Sequence, residues 1–154
     1  MGGDCLVGFG SVCRTPAKRE EPLSRSRVLL ADDHEAFLAV EARLLEPEFE
    51  VVTTARDGRA VLEEVARLAP DILLLDISMP VLDGIQAARL LKASGCQAKI
   101  IFMTVHGDQD YVQAGLAAGA LGYVVKSRLA TDLLPALREV LAGRCFVSPS
   151  ISMA

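Results

Sequence analysis

The chain has 154 residues, enough for one ordinary domain and too few for two comfortable ones. Hydrophobic side chains make up 51% of it and charged ones 23%, which can fill a core and argues against wholesale disorder. The net charge of −4 divides unevenly: residues 1–27 carry five basic and three acidic groups (+2), residues 28–154 carry 11 basic and 17 acidic (−6). An acidic main body is a poor surface for DNA or RNA and a good one for a divalent cation.

No apolar run is long enough to span a bilayer. Gly, Asp and Ser interrupt the N-terminus, so no secretory leader is expected there. Cys5, Cys13, Cys96 and Cys145 include no CxxC pair and are accompanied by only two histidines. They read as free thiols of a cytoplasmic protein rather than as zinc ligands or disulfides. Residues 1–26 lack sustained periodicity and are expected to be a flexible extension. Gly8-Phe9-Gly10 within them hints at a phosphate loop, but the third glycine is missing and a mobile tail is the simpler reading.

Regular patterning starts at Val28. Val28-Leu29-Leu30-Ala31 is a continuous apolar run that suits a strand buried on both faces. Glu35 to Leu45 reads as a helix with Phe37, Val40 and Leu44 on its inner face. Val51 to Ala55 is β-branched and strand-like, Asp57-Gly58 marks a turn, and residues 60–69 return to helical spacing until Pro70 ends them. Ile72-Leu73-Leu74-Leu75 is the most apolar strand. A loop with Pro80 follows, then a helix from Gly84 to Ala93. Ile100 to Met103 is a fourth strand, 109–118 a short helix, and Leu121 to Val125 a fifth strand. The last helix is expected from Asp132 to Ala142, with Asp132 as N-cap so that Pro135 stays in the first turn, and Gly143 as its stop. Apolar strands alternating with amphipathic helices specify an α/β protein, a parallel sheet covered on both sides. The expected fold is the flavodoxin-like (βα)5 doubly wound form, a five-stranded parallel sheet of order 2-1-3-4-5.

The strand ends carry the chemistry. The first strand ends in Asp32-Asp33, the third in Asp76, the fourth in Thr104 and the fifth in Lys126. Ligands of open parallel sheets bind outside the carboxyl ends of the strands, and these four strands are neighbours in the expected order. Three carboxylates repel one another unless a cation sits among them, and Mg²⁺ favours such oxygen donors. A carboxylate can attack phosphorus to form an acyl phosphate, and a lysine offsets charge on the phosphoryl oxygens. Taken singly, each residue has an ordinary use: Asp32 or Asp33 caps a helix, Asp76 caps a turn, Thr104 ends a strand, Lys126 is solvated. Jointly, those uses require four coincidences at four strand ends.

At these residues the chain resembles the receiver domains of two-component response regulators. The matching pieces are Val28 to His34, Asp71-Ile72-Leu73-Leu74-Leu75-Asp76-Ile77-Ser78-Met79-Pro80-Val81-Leu82-Asp83-Gly84, Thr104, and Gly119-Ala120-Leu121-Gly122-Tyr123-Val124-Val125-Lys126. The Asp-His start and the Gly-Tyr-Val-Val-Lys segment are most similar to the NarL/FixJ (LuxR-type) branch. The resemblance implies a receiver over residues 27–143 with Asp76 as phosphoacceptor from a histidine kinase. It implies Mg²⁺ held by the Asp33 and Asp76 side chains and the Ser78 carbonyl, with Asp32 acting through water. It also implies Lys126 on the phosphoryl group and Thr104 with Tyr123 as a coupled switch pair. A signalling switch with a transcriptional output, rather than an enzyme, is implied. The apolar, small-residue region 109–141 suggests homodimerisation on phosphorylation, while the acidic balance and the lack of a spanning run argue against direct nucleic-acid or membrane contact by this domain.

Two departures from the family pattern stand out. Residues 144–154 read as a tail or the start of a linker, at the place where members of that branch normally continue into a helix-turn-helix domain. The first 26 residues have no counterpart. Val105, Ser78 and His106, beside the site, are candidates for tuning phosphate loss. A stand-alone or pseudo-receiver module acting without phosphorylation would usually lack one of the acids or the lysine. A phosphatase of the haloacid dehalogenase type would want Asp where Ser78 stands, and a nucleotide-binding Rossmann domain would want the glycine fingerprint.

Overall fold

A computed structural model of the chain describes residues 25–105 and 109–149. Strands and helices alternate through it: β1 (Arg27–Ala31), α1 (Glu35–Leu45), β2 (Glu50–Ala55), α2 (Gly58–Leu68), β3 (Ile72–Asp76), α3 (Gly84–Ala93), β4 (Lys99–Thr104), α4 (Gln109–Ala117), β5 (Gly122–Val125), a 3-10 turn (Lys126–Arg128), α5 (Leu129–Leu141) and β6 (Phe146–Val147). Residues 1–24 of the expected extension, and His106, lie outside the described residues.

All strand pairs are parallel and the order is β2-β1-β3-β4-β5-β6. The expected order of the first five strands holds, and the count of five is corrected to six. Gly143 (φ 84) turns the chain back at the end of α5. The Phe146 N–H then donates to Leu121 O at 2.9 Å and the Ser148 N–H to Tyr123 O at 2.9 Å. Two residues are too few to show a period, so this strand, inside the stretch read as tail or linker, left no pattern to find.

Side-chain alternation along the central strands builds two cores. Leu29, Leu73, Leu75, Ile100, Phe102 and Tyr123 face the α2–α3–α4 layer, which contributes Val61, Ile85, Leu91 and Val112. Val28, Leu30, Ile72, Leu74, Ile101 and Val124 face the α1–α5 layer, which contributes Leu38, Leu45, Leu133, Leu137 and Val140. This two-sided burial is what the unbroken apolar strands encode.

Two helices differ from expectation. On α1 the buried stripe is Leu38, Glu41 and Leu45, with Phe37 and Leu44 at its edges, while Val40 is 48% exposed. The helix is therefore turned by about one residue, roughly 100°, from the face that the apolar side chains mark. Helix α5 starts at Leu129, so Asp132 is inside it and Pro135 is interior. Asp132 does not cap. Its carboxylate accepts from Arg128 Nε at 3.0 Å and from Ser148 Oγ at 2.7 Å. The proline removes the donor that would serve the carbonyl of Thr131, and Thr131 is exposed to solvent.

Candidate functional site

Register brings the acids together. Ala31 pairs with Leu75, so Asp32 and Asp76 leave neighbouring strands at the same level. Asp76 pairs with Met103, Thr104 follows on β4, and Thr104 pairs with Val125, one residue before Lys126. The backbone then fixes each loop. Asp32 Oδ1 accepts from the His34 N–H at 2.8 Å, which bends the chain into α1. The Ser78 N–H reaches Asp76 Oδ1 at 3.3 Å.

Lys126 is the hub. Its side chain is buried, with Nζ 2.5 Å from Asp32 Oδ2 and 3.2 Å from Asp76 Oδ2. The ammonium also lies over the Phe37 ring, 4.3 Å from its centroid, a cation–π contact supplied by α1. Burial works against the lysine's charge, but the Asp32 and Asp76 partners outweigh it and hold its pKa above the ordinary value. Asp76 is pushed up to about 6, by burial first; Lys126 pulls it down and Asp32 pushes it up again.

Asp32, Asp33, His34 and Asp76 each present a ligand atom, and these atoms all lie within 4.8 Å of one another. His34 Nδ1 is 3.0 Å from Asp33 Oδ1 and 3.4 Å from Asp32 Oδ1. Asp33 is partly exposed, and its Oδ1 accepts no hydrogen bond among the described residues. Carboxylate oxygens of this kind, two buried and one opening to solvent, suit a hard divalent cation that keeps some of its water.

The expected residues therefore converge with different closeness. Asp32, Asp76 and Lys126 touch, Asp33 joins them, and Ser78 stands at the exposed rim. Thr104 is buried at the end of β4. Tyr123 is set apart in the α2–α4 layer, fully buried, its ring centroid 6.2 Å from that of Phe102. Gly115 of α4 lies over both rings, where a Cβ would meet Phe102 Cδ2 at 2.8 Å and Tyr123 Cε2 at 3.1 Å.

The sequence profile of the response regulator receiver domain matches residues 28–138. The chain belongs to this family. It is similar to the transcriptional regulatory protein DegU of Brevibacillus brevis, 34% identical over 84% of this chain and 56% of that protein. It is also similar to LiaR of Bacillus subtilis, 37% identical over 76% of this chain and 56% of that protein. The receiver thus spans little more than half the length of these curated relatives. Among solved structures, a LuxR-family response regulator from Aurantimonas superposes with a TM-score of 0.79 at 34% identity, covering 83% of this chain and 93% of the other. The signal receiver domain of the Mycobacterium tuberculosis regulator NarL gives 0.75 at 31%, covering 78% and 98%. No helix among the described residues of the receiver is long and apolar enough to cross a membrane.

Two residues of the site escaped the sequence reading. Phe37 reads as core from its apolar spacing, although it carries the lysine. Glu41, one turn further along α1, is fully buried, and neither carboxylate oxygen has a hydrogen-bond partner among the described residues. Burial, and next the charge of Asp32, push its pKa up to about 8. The signal was available: Glu41 lies at i+3 from Leu38 and i−4 from Leu45, a polar residue inside an apolar stripe.

Proposed function

We propose that this receiver takes a phosphoryl group on Asp76 from a histidine kinase, in the presence of Mg²⁺, and passes the change to a transcriptional output. The observation that carries the reading is the buried Lys126 ammonium shared between Asp32 and Asp76 at 2.5 and 3.2 Å. A lysine so placed keeps one carboxylate oxygen of Asp76 in a fixed direction and lies within reach of phosphoryl oxygens added to it.

An Asp76 oxygen forms the new bond to phosphorus, and the donor's bond to phosphorus breaks, its electron pair leaving with the donor nitrogen of the kinase histidine. The product is an acyl phosphate on Asp76. With its pKa near 6, Asp76 is mostly ionised, and so nucleophilic, at neutral pH. Asp33, Asp76 and the Ser78 carbonyl would hold Mg²⁺, with Asp32 assisting through water; the ion supplies positive charge toward the phosphoryl oxygens. The hydroxyl of Thr104 would then donate to the phosphoryl group, and Tyr123, already turned into the α4 layer, would form the readout with it. Cytoplasmic location, homodimerisation and DNA control through a further domain belong to the same reading. The chemistry stops at the phosphoprotein: self-phosphorylation from small donors and loss of the phosphate are its only turnovers.

The test is incubation with a small acyl-phosphate donor and Mg²⁺, read by intact mass. The wild type acquires an acid-stable, base-labile phosphoryl adduct and Asp76→Asn does not. Equal labelling of both, or of neither, sinks the assignment.

A further inference from the structure

The loop from Ile77 to Asp83 carries Ser78, and three contacts fix its path. At its base, the Gly84 N–H donates to Ile77 O at 2.9 Å, and a Cβ on Gly84 would lie 2.3 Å from Asp76 O. At its tip, the Leu82 N–H donates to Pro80 O at 2.7 Å while Val81 sits at φ 69. That combination is the rare, strained form of the three-residue turn, here on a β-branched residue that tolerates positive φ poorly. Val81 is 75% exposed, so burial of its side chain does not hold it there. The third contact comes from elsewhere in the chain. Gly58, the first residue of α2, is packed so closely on the loop that a Cβ would lie 2.0 Å from Leu82 O and 2.7 Å from Leu82 C and Cβ.

Gly58 needs no glycine conformation of its own: it is absent from the positive-φ residues. By helix propensity alone, alanine would be favoured there over glycine. The glycine is therefore explained by the contact. The struck atoms are mainly backbone and cannot rotate aside. Nor can the helix start yield freely, because Asp57 caps it, Oδ1 accepting from the Ala60 N–H at 2.8 Å.

We infer that Gly58 is a positioning residue for the metal-holding loop, acting through the Leu82 backbone to keep the strained Pro80–Leu82 turn closed and Ser78 in register with Asp76. The inference rests on the reading above that Asp33, Asp76 and Ser78 hold Mg²⁺. Strain of this kind persists only where the surroundings over-determine it, and at a binding loop it serves preorganisation. Pressing on Leu82 from Gly58, or freeing φ at Val81, lets the turn open and moves Ser78 off its place.

The experiment titrates Mg²⁺ alone into the full chain, by calorimetry, for wild type, Gly58→Ala, Val81→Gly and the double variant, with thermal melts in chelator. Supporting positions of a metal site typically change affinity by about 10–100-fold. Gly58→Ala is expected in that range and Val81→Gly at its lower end, about 10-fold, although Val81→Gly melts no lower than wild type because strain is relieved. The double variant melts higher than the two single effects add to, since a free turn accommodates the new Cβ, yet still binds Mg²⁺ weakly. If Gly58→Ala does not fold, Val81→Gly decides. Wild-type affinity in the folded variants overturns the inference alone, whereas a wild type that binds no Mg²⁺ overturns the metal reading and the inference with it.

Discussion

Lys126 Nζ stands 2.5 Å from Asp32 Oδ2, and both side chains are almost wholly removed from solvent. The pair is held from one side by the sheet and from the other by the Phe37 ring of α1. Removing the lysine leaves two buried carboxylates facing each other. Breaking such a pair costs on the order of 3–5 kcal/mol, reduced to the extent that Asp76 takes up a proton instead. Lys126→Met is therefore expected to lower the urea midpoint at pH 7.5, less so at pH 5.5, and to abolish labelling of Asp76. A midpoint loss that is the same at both pH values would contradict the account.

The raised pKa of Asp76 sets a pH profile. Below about 6 the carboxyl is protonated and cannot attack phosphorus. In metal-free buffer its ionisation, followed by carboxyl NMR, should inflect near pH 6. Added Mg²⁺ should move that inflection to lower pH, because a nearby cation favours the charged form. The labelling rate with Mg²⁺ should rise with pH along the shifted curve and then level. An inflection that ignores Mg²⁺ would separate Asp76 from the metal.

Glu41 predicts a stability slope. Folded Glu41 keeps its proton up to about pH 8, whereas its ordinary value is 4.5. Between those values the folded state binds the extra proton, so stability is present at low pH and falls as pH rises through the window. Asp76, raised in the same direction, adds to the slope between 3.8 and about 6. Glu41→Gln should flatten the fall between pH 6 and 8. Glu41→Leu should stabilise at pH 8 by on the order of 3 kcal/mol, measured by urea melts in chelator. A wild type as stable at pH 8 as at pH 5.5 would refute the burial argument.

Ser148 ties the last strand to the site. Its Oγ accepts from the Val125 N–H at 3.1 Å and donates to Asp132 Oδ2 at 2.7 Å, in a buried position. Ser148→Ala leaves a buried N–H and a carboxylate oxygen short of partners, a loss of about 1–3 kcal/mol. Hydrogen exchange at Val125 should quicken with it. Ser148→Ala with an unchanged melt and unchanged exchange would reduce β6 to a passive tail.

Much of this was legible in the sequence because parallel strands buried on both faces advertise themselves as unbroken apolar runs, and because the acids stand directly after those runs. Asp32, Asp76 and Lys126 could be placed together from strand order alone. What escaped depends on rotation and on short range. Phe37, Val40 and Leu44 make a more apolar stripe than Leu38, Glu41 and Leu45, yet the second is buried, since the α1 face is chosen by the sheet beneath it and by Lys126 beside it. The early start of α5 hides behind a 3-10 turn, and β6 is too short to show a period.

The sixth strand alters what the end of the described chain is attached to. Ser148 is hydrogen-bonded to the backbone of both Tyr123 and Val125, and Val125 adjoins Lys126. A shift of the β5 backbone therefore carries Ser148 with it, as a lever arm rather than a slack tether. Up to that residue the chain is a fixed extension of the sheet, level with the backbone that precedes Lys126.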